Sequence, residues 1–215
     1  MAGYDGWCEK CAEQIEFVTQ PVCTRCGTPL PPEEFCASCT THPFVVEAVR
    51  AVTYYRGVVK RAVHRCKYGK HPTVAPALAE LLIKGWHTTL TAPLHAAEVV
   101  IPVPIHRHRE RERGFNQSML IAKSFCDSTG LTLLQDVMER TVYRRPQVGL
   151  DAHERQQNVK DAFRVVKPER VAGKSVLLVD DVWTTGSTLN ESAKALLCAR
   201  ASRVFAYTVA HESLR

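Results

Sequence analysis

The stretch VLLVDDVWTTGSTL, Val176 to Leu189, limits what this chain can fold into more than any other. Val176, Leu177, Leu178 and Val179 are large and apolar without alternation, which suits a strand covered on both faces of a parallel sheet. Two acids, Asp180 and Asp181, follow where that strand is expected to leave the core. From Leu189 to Arg200 the pattern turns helical, with Leu189, Ala193, Leu196 and Leu197 on one face, and Thr188 with Glu191 matches a capping box. VFAYTVA then reads as a second apolar strand, which completes a βαβ unit.

The loop inside this unit has the composition of an anion site. N–H groups at a helix start lack intrahelical partners and can converge on a bound oxyanion. Thr184, Thr185, Ser187 and Thr188 add hydroxyl donors, while Gly186 permits close backbone approach. Phosphate is the occupant this chemistry favours. Asp180 and Asp181 would repel phosphate, but they can accept hydrogen bonds from sugar hydroxyls or hold a hydrated Mg²⁺. Phosphate beside a diol describes a ribose phosphate. No Gly-Lys-Ser/Thr follows and the dinucleotide glycine spacing is absent, so neither nucleotide-binding loop applies.

At 215 residues the chain can bury one α/β domain with a small appendage. Its 28 Lys and Arg against 22 Asp and Glu leave a formal charge of +6, which fits anionic substrates or nucleic acid as well as an ordinary soluble surface. No apolar run approaches the roughly 20 residues that span a bilayer. The start, MAGYDGWCEKC, lacks a signal peptide's apolar core, so a cytoplasmic location is expected.

Of the nine cysteines, six form CxxC pairs before residue 40: Cys8/Cys11, Cys23/Cys26 and Cys36/Cys39. Two such pairs complete a closed tetrahedral Zn²⁺ site, and reducing conditions argue against a disulfide framework. Cys23, Cys26, Cys36 and Cys39 are expected to share one ion. Cys8 and Cys11 are then left over, or complete a second site with other ligands, and His42 is either a substitute ligand or a solvated loop histidine. Cys66, Cys126 and Cys198 lie on helical faces and read as core.

Between these regions, Val45 to Tyr55 reads as a strand, GVVKRAVHRCKYGK as a helix whose Lys60, Arg61, Arg65, Lys67 and Lys70 form either a solvated basic face or a contact for nucleic acid or pyrophosphate, and Pro76 to Trp86 as another helix. EVVIPVPI is an apolar strand ended by prolines. The segment HRHRERERGFNQ crowds His106, Arg107, His108, Arg109, Arg111 and Arg113 next to that strand end, and reads as a salt-bridged surface or, because open α/β sheets bind ligands there, as a pyrophosphate contact. A helix follows from Phe115 to Ser128. RRPQVGLDAHERQQNVKDAF is polar and reads as a surface loop or a mobile lid.

The order of these motifs, CxxC pairs, PVPIHRHRERERGFNQ, RPQVGLDAHERQQNVKDAF and VLLVDDVWTTGSTL, resembles the ComF family of amidophosphoribosyltransferase-like competence proteins over nearly the whole chain. The last motif is similar to the 5-phosphoribosyl-1-pyrophosphate (PRPP) motif of type I phosphoribosyltransferases. The resemblance implies an α/β type I phosphoribosyltransferase fold, a parallel sheet with helices on both faces, at residues 44–215, behind a Cys-rich zinc-binding module at residues 1–43. It implies that Asp180 and Asp181 grip the ribose hydroxyls, that Val182, Thr184, Thr185, Gly186, Ser187 and Thr188 hold the 5′-phosphate, and that PRPP or another ribose 5-phosphate binds with Mg²⁺. Trp183 has no assigned role beyond packing. His106, Arg107 and Arg113 are candidates for the pyrophosphate, with Gln147 and Arg155 delivered by the lid. Structural Zn²⁺ is implied, although three CxxC pairs depart from the fuller double ribbon. Relatives of this kind are associated with DNA uptake and natural transformation, so single-stranded DNA and the uptake machinery are expected partners. A second reading is a non-catalytic adaptor that binds single strands, with Tyr54, Tyr55, Tyr68 and Phe115 as stacking aromatics.

Overall fold

The computed structural model describes residues 6–30, 36, 39, 44–69, 71–143 and 160–212. Its elements in chain order are α1 (Glu9–Ala12), β1 (Val49–Tyr54), α2 (Gly57–Tyr68), α3 (Ala75–Trp86), β2 (Val99–Pro102), α4 (Arg107–Arg113), α5 (Gln117–Thr129), β3 (Thr132–Leu133), β4 (Met138–Arg140), β5 (Phe163–Val165), β6 (Ser175–Trp183), α6 (Ser187–Cys198) and β7 (Arg203–His211). Five strands form one all-parallel sheet in the order β1-β7-β6-β2-β3, and β4 pairs with β5 as a separate antiparallel hairpin. The expected parallel sheet is therefore present.

The unbroken apolar run of β6 is explained by burial from both sides. Leu177 and Val179 enter a core with α2, α3 and α5 residues such as Val63, Leu82 and Phe125. Val176 and Leu178 enter a second core with Leu189, Ala193 and Leu196 of α6 and with Met138 and Phe163 of the hairpin. Alternate residues of the stretch from Val176 to Val179 thus serve two apolar layers, and this stretch has no position spare for a polar side chain.

Chain direction locates the cleft. The connection from β2 through α5 to β3 runs toward one edge of the sheet, while that from β6 through α6 to β7 runs toward the other. The two helices consequently lie on opposite faces, and a crevice opens between neighbouring β2 and β6 at their carboxyl ends, the general ligand position in such sheets.

The cysteine-rich segment is stitched to the edge of this sheet. The indole of Trp7 donates to the carbonyl of Ala77 at 2.8 Å, Val18 N–H donates to Val52 O at 2.8 Å, and Val49 N–H donates to Arg25 O at 2.6 Å. Phe17 and Thr53 add an antiparallel bridge.

Candidate functional site

The acid pair does not sit beyond the strand as the sequence implies. Strand β6 continues to Trp183, because β7 pairs with it as far as Trp183 opposite His211. On the other side, β2 stays in register only to Pro102 opposite Val179, with a last bond from Val103 N–H to Val179 O at 2.9 Å. Pro102 and Pro104 carry no N–H, so this ladder cannot continue. Asp180 and Asp181 therefore occupy strand backbone held on one edge and released on the other.

Each carboxylate is buried, Asp180 at 9% and Asp181 at 2% exposure, and each has its own partner. Asn116 donates through Nδ2 to Val103 O at 3.1 Å, and its Oδ1 caps α5 by accepting from Ser118 N–H at 3.1 Å. This places the Ser118 hydroxyl 2.7 Å from Oδ1 of Asp180, to which it donates; the same oxygen accepts from Asp181 N–H at 3.0 Å. Asp181 Oδ2 lies 2.8 Å from the ammonium of Lys67, at the end of α2.

The electrostatics follow from burial and proximity. Desolvation and the neighbouring charge of Asp181 raise the Asp180 pKa to about 6, against the opposing pull of Lys67 and Ser118. Burial alone would lower the Lys67 pKa, but the charges of Asp181 and Asp180 outweigh it and hold the ammonium above its ordinary value. Burial lowers the Arg113 pKa, with Asp181 acting against this, and Arg113 donates to Gln117 Oε1 while lying 5.9 Å from the centre of the Tyr68 ring. Two acids and two cations, Lys67 and Arg113, thus share one cleft.

After Trp183 the chain turns through Thr184 and Thr185 into Gly186, which takes φ +76° and starts α6 as its N-cap. The capping box read from Thr188 and Glu191 is not formed. Gly186 has no side chain to cap the helix, the Thr185 hydroxyl accepts from Ser187 N–H at a long 3.5 Å, and Glu191 instead accepts from Asp161 N–H at 3.2 Å and pairs with Lys194 at 2.6 Å. The helix begins at Ser187, two residues before the start that the sequence pattern predicts, and the Thr185 and Ser187 hydroxyls lie 2.9 Å apart at its mouth. The absence of a cap at Gly186 and the length of the Thr185 contact leave first-turn N–H groups available to an anion.

Gly186 is required for steric reasons as well. A Cβ there would stand 2.5 Å from Cε1 of Phe44 and 3.0 Å from Nε1 of Trp183. Trp183 is buried and stacks on His211 with ring centres 4.3 Å apart. Packing is what its position provides, and with Phe44 it backs the loop.

The remaining sequence candidates divide. Arg113 is beside the acids. His106 caps α4, its Nδ1 accepting from His108 N–H at 3.1 Å, with its pKa lowered by burial and by Arg107 and Arg140. Arg107 is exposed on α4. Gln147, Arg155 and His42 lie outside the described residues. Asn116 and Ser118 join the candidate site although the sequence does not single them out, and Lys67, named in the sequence only as one of five basic residues on a solvated or anion-contacting face, is the one that meets the acids. The Asn-x-Ser at the start of α5 is a capping signal that points to the other two.

The cysteines also resolve. The ligand atoms of Cys23, Cys26, Cys36 and Cys39 all lie within 4.8 Å of one another, with Cys23 and Cys39 sulfurs 3.7 Å apart and Cys26 and Cys36 sulfurs 3.3 Å apart. A Zn–S bond of about 2.3 Å in a tetrahedron gives an edge of about 3.8 Å, so the four thiols fit this ion. Gly27, at φ +69°, closes the first knuckle by donating to Cys23 O at 3.0 Å. Cys8, just before α1, and Cys11, on it, stand outside this cluster, and no third ligand joins them among the described residues. Among those residues no helix is long and apolar enough to cross a membrane.

The double zinc ribbon domain model matches residues 1–40, and the phosphoribosyl transferase domain model matches residues 99–213. The chain is 31% identical to the DNA utilization protein YhgH of Shigella flexneri, over 91% of this chain and 86% of that one. It is 31% identical to competence protein F of Haemophilus influenzae, over 89% and 84%. With competence protein ComFC of Bacillus subtilis the identity is 24%, over 94% and 82%. A four-cysteine ribbon, a parallel sheet with helices on both faces and similarity to these relatives over about nine-tenths of the chain lead to one assignment: the chain belongs to the ComF family and carries a phosphoribosyltransferase-type fold.

Proposed function

We propose that this protein binds PRPP with Mg²⁺ in the cleft between β2 and β6, and that it does so in the cytoplasm in the service of DNA utilization. The observation that carries the reading is the sequence of groups along one short piece of chain: two buried acids, then a hydroxyl-rich loop, then a helix whose N-cap is glycine. That order matches the diol and 5′-phosphate of one sugar. Names of relatives that refer to DNA utilization and competence support the wider role.

In this reading Asp180 and Asp181 accept from the ribose hydroxyls, and the loop from Val182 to Thr188 donates to the phosphate. Lys67 and Arg113 face the pyrophosphate, with His106 and Arg107 nearer the cleft's outer rim. The donor set suits Mg²⁺, which favours one or two carboxylates together with substrate phosphates. When bound, the ion would offset pyrophosphate charge as the C1–O bond lengthens. The chain's own part is to orient the sugar and set fixed charge around a centre that becomes cationic.

Titration calorimetry tests this directly. PRPP should bind only with Mg²⁺, and Asp180→Ala or Asp181→Ala should weaken it at least about tenfold, the loss of one charge-assisted contact. Unchanged affinity in both variants would remove the assignment.

One observation favours the adaptor reading as a companion. The exposed side of α2 carries Lys60, Arg61, His64 and Arg65 with no acid in the helix, and ends at Tyr68, 62% exposed beside Arg113. Cations leading to an open ring suit a single strand. Its affinity should fall steeply with salt, and neutralising Arg61 and Arg65 should flatten that slope; a slope unaltered by those changes would count against α2 as the contact.

A further inference from the structure

Arg50 is the second residue of β1 and is 4% exposed. A cation so deeply buried normally sits against a carboxylate, because desolvating a lone guanidinium is expensive. Here its hydrogen-bond partners are backbone carbonyls. Nε donates to Leu90 O at 2.8 Å, Nη1 to Val49 O at 2.7 Å and to Cys23 O at 3.5 Å, and Nη2 to Thr24 O at 2.9 Å. Among the described residues no Asp or Glu forms an ion pair with it. Two of the four carbonyls belong to the first knuckle, within the Cys23-Thr24-Arg25-Cys26 turn.

The ligand count supplies the missing charge. Four thiolates around one Zn²⁺ carry a net charge of two minus, and such a centre is itself costly inside a protein unless cations or N–H donors face it. A buried cation without an acid and a dianionic centre thus meet at one turn. Cys23 and Cys26 also share a core cluster with Val49, Val99 and Leu196, so this turn is packed against the sheet itself.

We infer that Arg50 is the counter-cation of the four-cysteine centre, so that zinc occupancy and the placement of β1 at the sheet edge stabilise one another. Arg50 is a positioning residue here: it acts through the knuckle backbone and through charge, and it contributes no bond to the metal. The guanidinium fork suits this place better than an ammonium, since its fixed planar donors reach four carbonyls while it stays charged. The inference concerns the metal centre and does not depend on what the sugar-phosphate cleft binds.

The test is made on the full-length, zinc-loaded protein. Zinc affinity is measured by competition with a chromophoric chelator for the wild type, Arg50→Gln and Arg50→Lys, and Co²⁺ substitution reports whether four thiolates still bind. Arg50→Gln should lose about 10–100-fold in zinc affinity, the usual effect of removing an outer partner of a metal site, while keeping the tetrathiolate spectrum. Arg50→Lys, which keeps the charge and loses the fork, should fall between. If Arg50→Gln lowers stability equally with and without metal and leaves zinc affinity unchanged, the residue is only a structural tie and the inference is wrong. A second measurement needs no variant. Stripping zinc from the wild type should speed amide exchange in Val49–Tyr54 and around Leu90; unaltered exchange there would equally overturn it. A protein that takes up no zinc at all would remove the metal reading itself, and metal analysis tells that outcome from the others.

Discussion

Asp180 makes folding depend on pH in a direction opposite to that of most carboxylates. Its pKa of about 6 stands above the ordinary 3.8, so between these values the folded protein keeps a proton that the unfolded chain has lost. The stability it contributes is complete below about pH 4 and is lost as the pH rises through 6. Asp180→Asn cannot ionise, so relative to the wild type it should gain roughly 2 kcal/mol between pH 4 and pH 7, each tenfold difference in proton affinity being worth about 1.36 kcal/mol. Urea midpoints of both proteins at the two pH values measure this, and a constant difference would mean the carboxyl is not so perturbed. At Gly186 the prediction is simpler. Gly186→Ala combines a left-handed φ with a Cβ 2.5 Å from Phe44, which should cost about 2–4 kcal/mol and weaken phosphate binding; calorimetric melting and titration would show both. These two positions are legible in the sequence, because the chemistry of a diol-and-phosphate loop dictates residue types in order. Arg50 is not, and Lys67 is legible only as one of five basic residues in its segment. Only the tertiary neighbour, a metal knuckle or an acid on another strand, sets either apart.

At the level of elements, most helices are visible in apolar spacing. Helices α2 and α3 begin and end within a residue or two of the periodic pattern, as does α5. Two features escape it. The charged HRHRERER segment forms α4 although it buries no side chain, because His106 caps it and alternate charges do not oppose helix. The start of α6 is hidden because a well-formed Thr-x-x-Glu pattern competes with a glycine loop, and the backbone of Asp161, just ahead of the hairpin's β5, claims the glutamate. Helix α2 is tied to β6 by Lys67 and Asp181. Lys67→Met strands a carboxylate that is 2% exposed, and it should cost about 3 kcal/mol at neutral pH. Adding Asp181→Asn should recover most of that loss. Chemical denaturation of the four proteins of this cycle gives the coupling, and simple additivity would show that Arg113 already satisfies the acid.

On the scale of the whole molecule, the sequence divides readily into a cysteine-rich start and an α/β remainder, while the side chains mix across that division. Cys23, Cys26 and Phe44 lie in one apolar layer with Val176, Leu178 and Leu196. Chelating zinc should therefore lower the melting temperature of the entire protein in a single transition, and scanning calorimetry would instead show two separate transitions if the ribbon melted alone. Parallel order is inferable from the unalternated strands, but the strand sequence is not, since hydrophobic runs do not say which neighbour they join. That neighbour relation has a further consequence. The walls of the β2–β6 crevice come from Lys67, Arg113, Ser118 and the stretch after Val179, segments remote from one another along the polypeptide. Any small molecule seated there acts as a cross-brace, resisting separation of the early and late portions of the chain, so saturation with it should retard global unfolding and not only steady a surface loop.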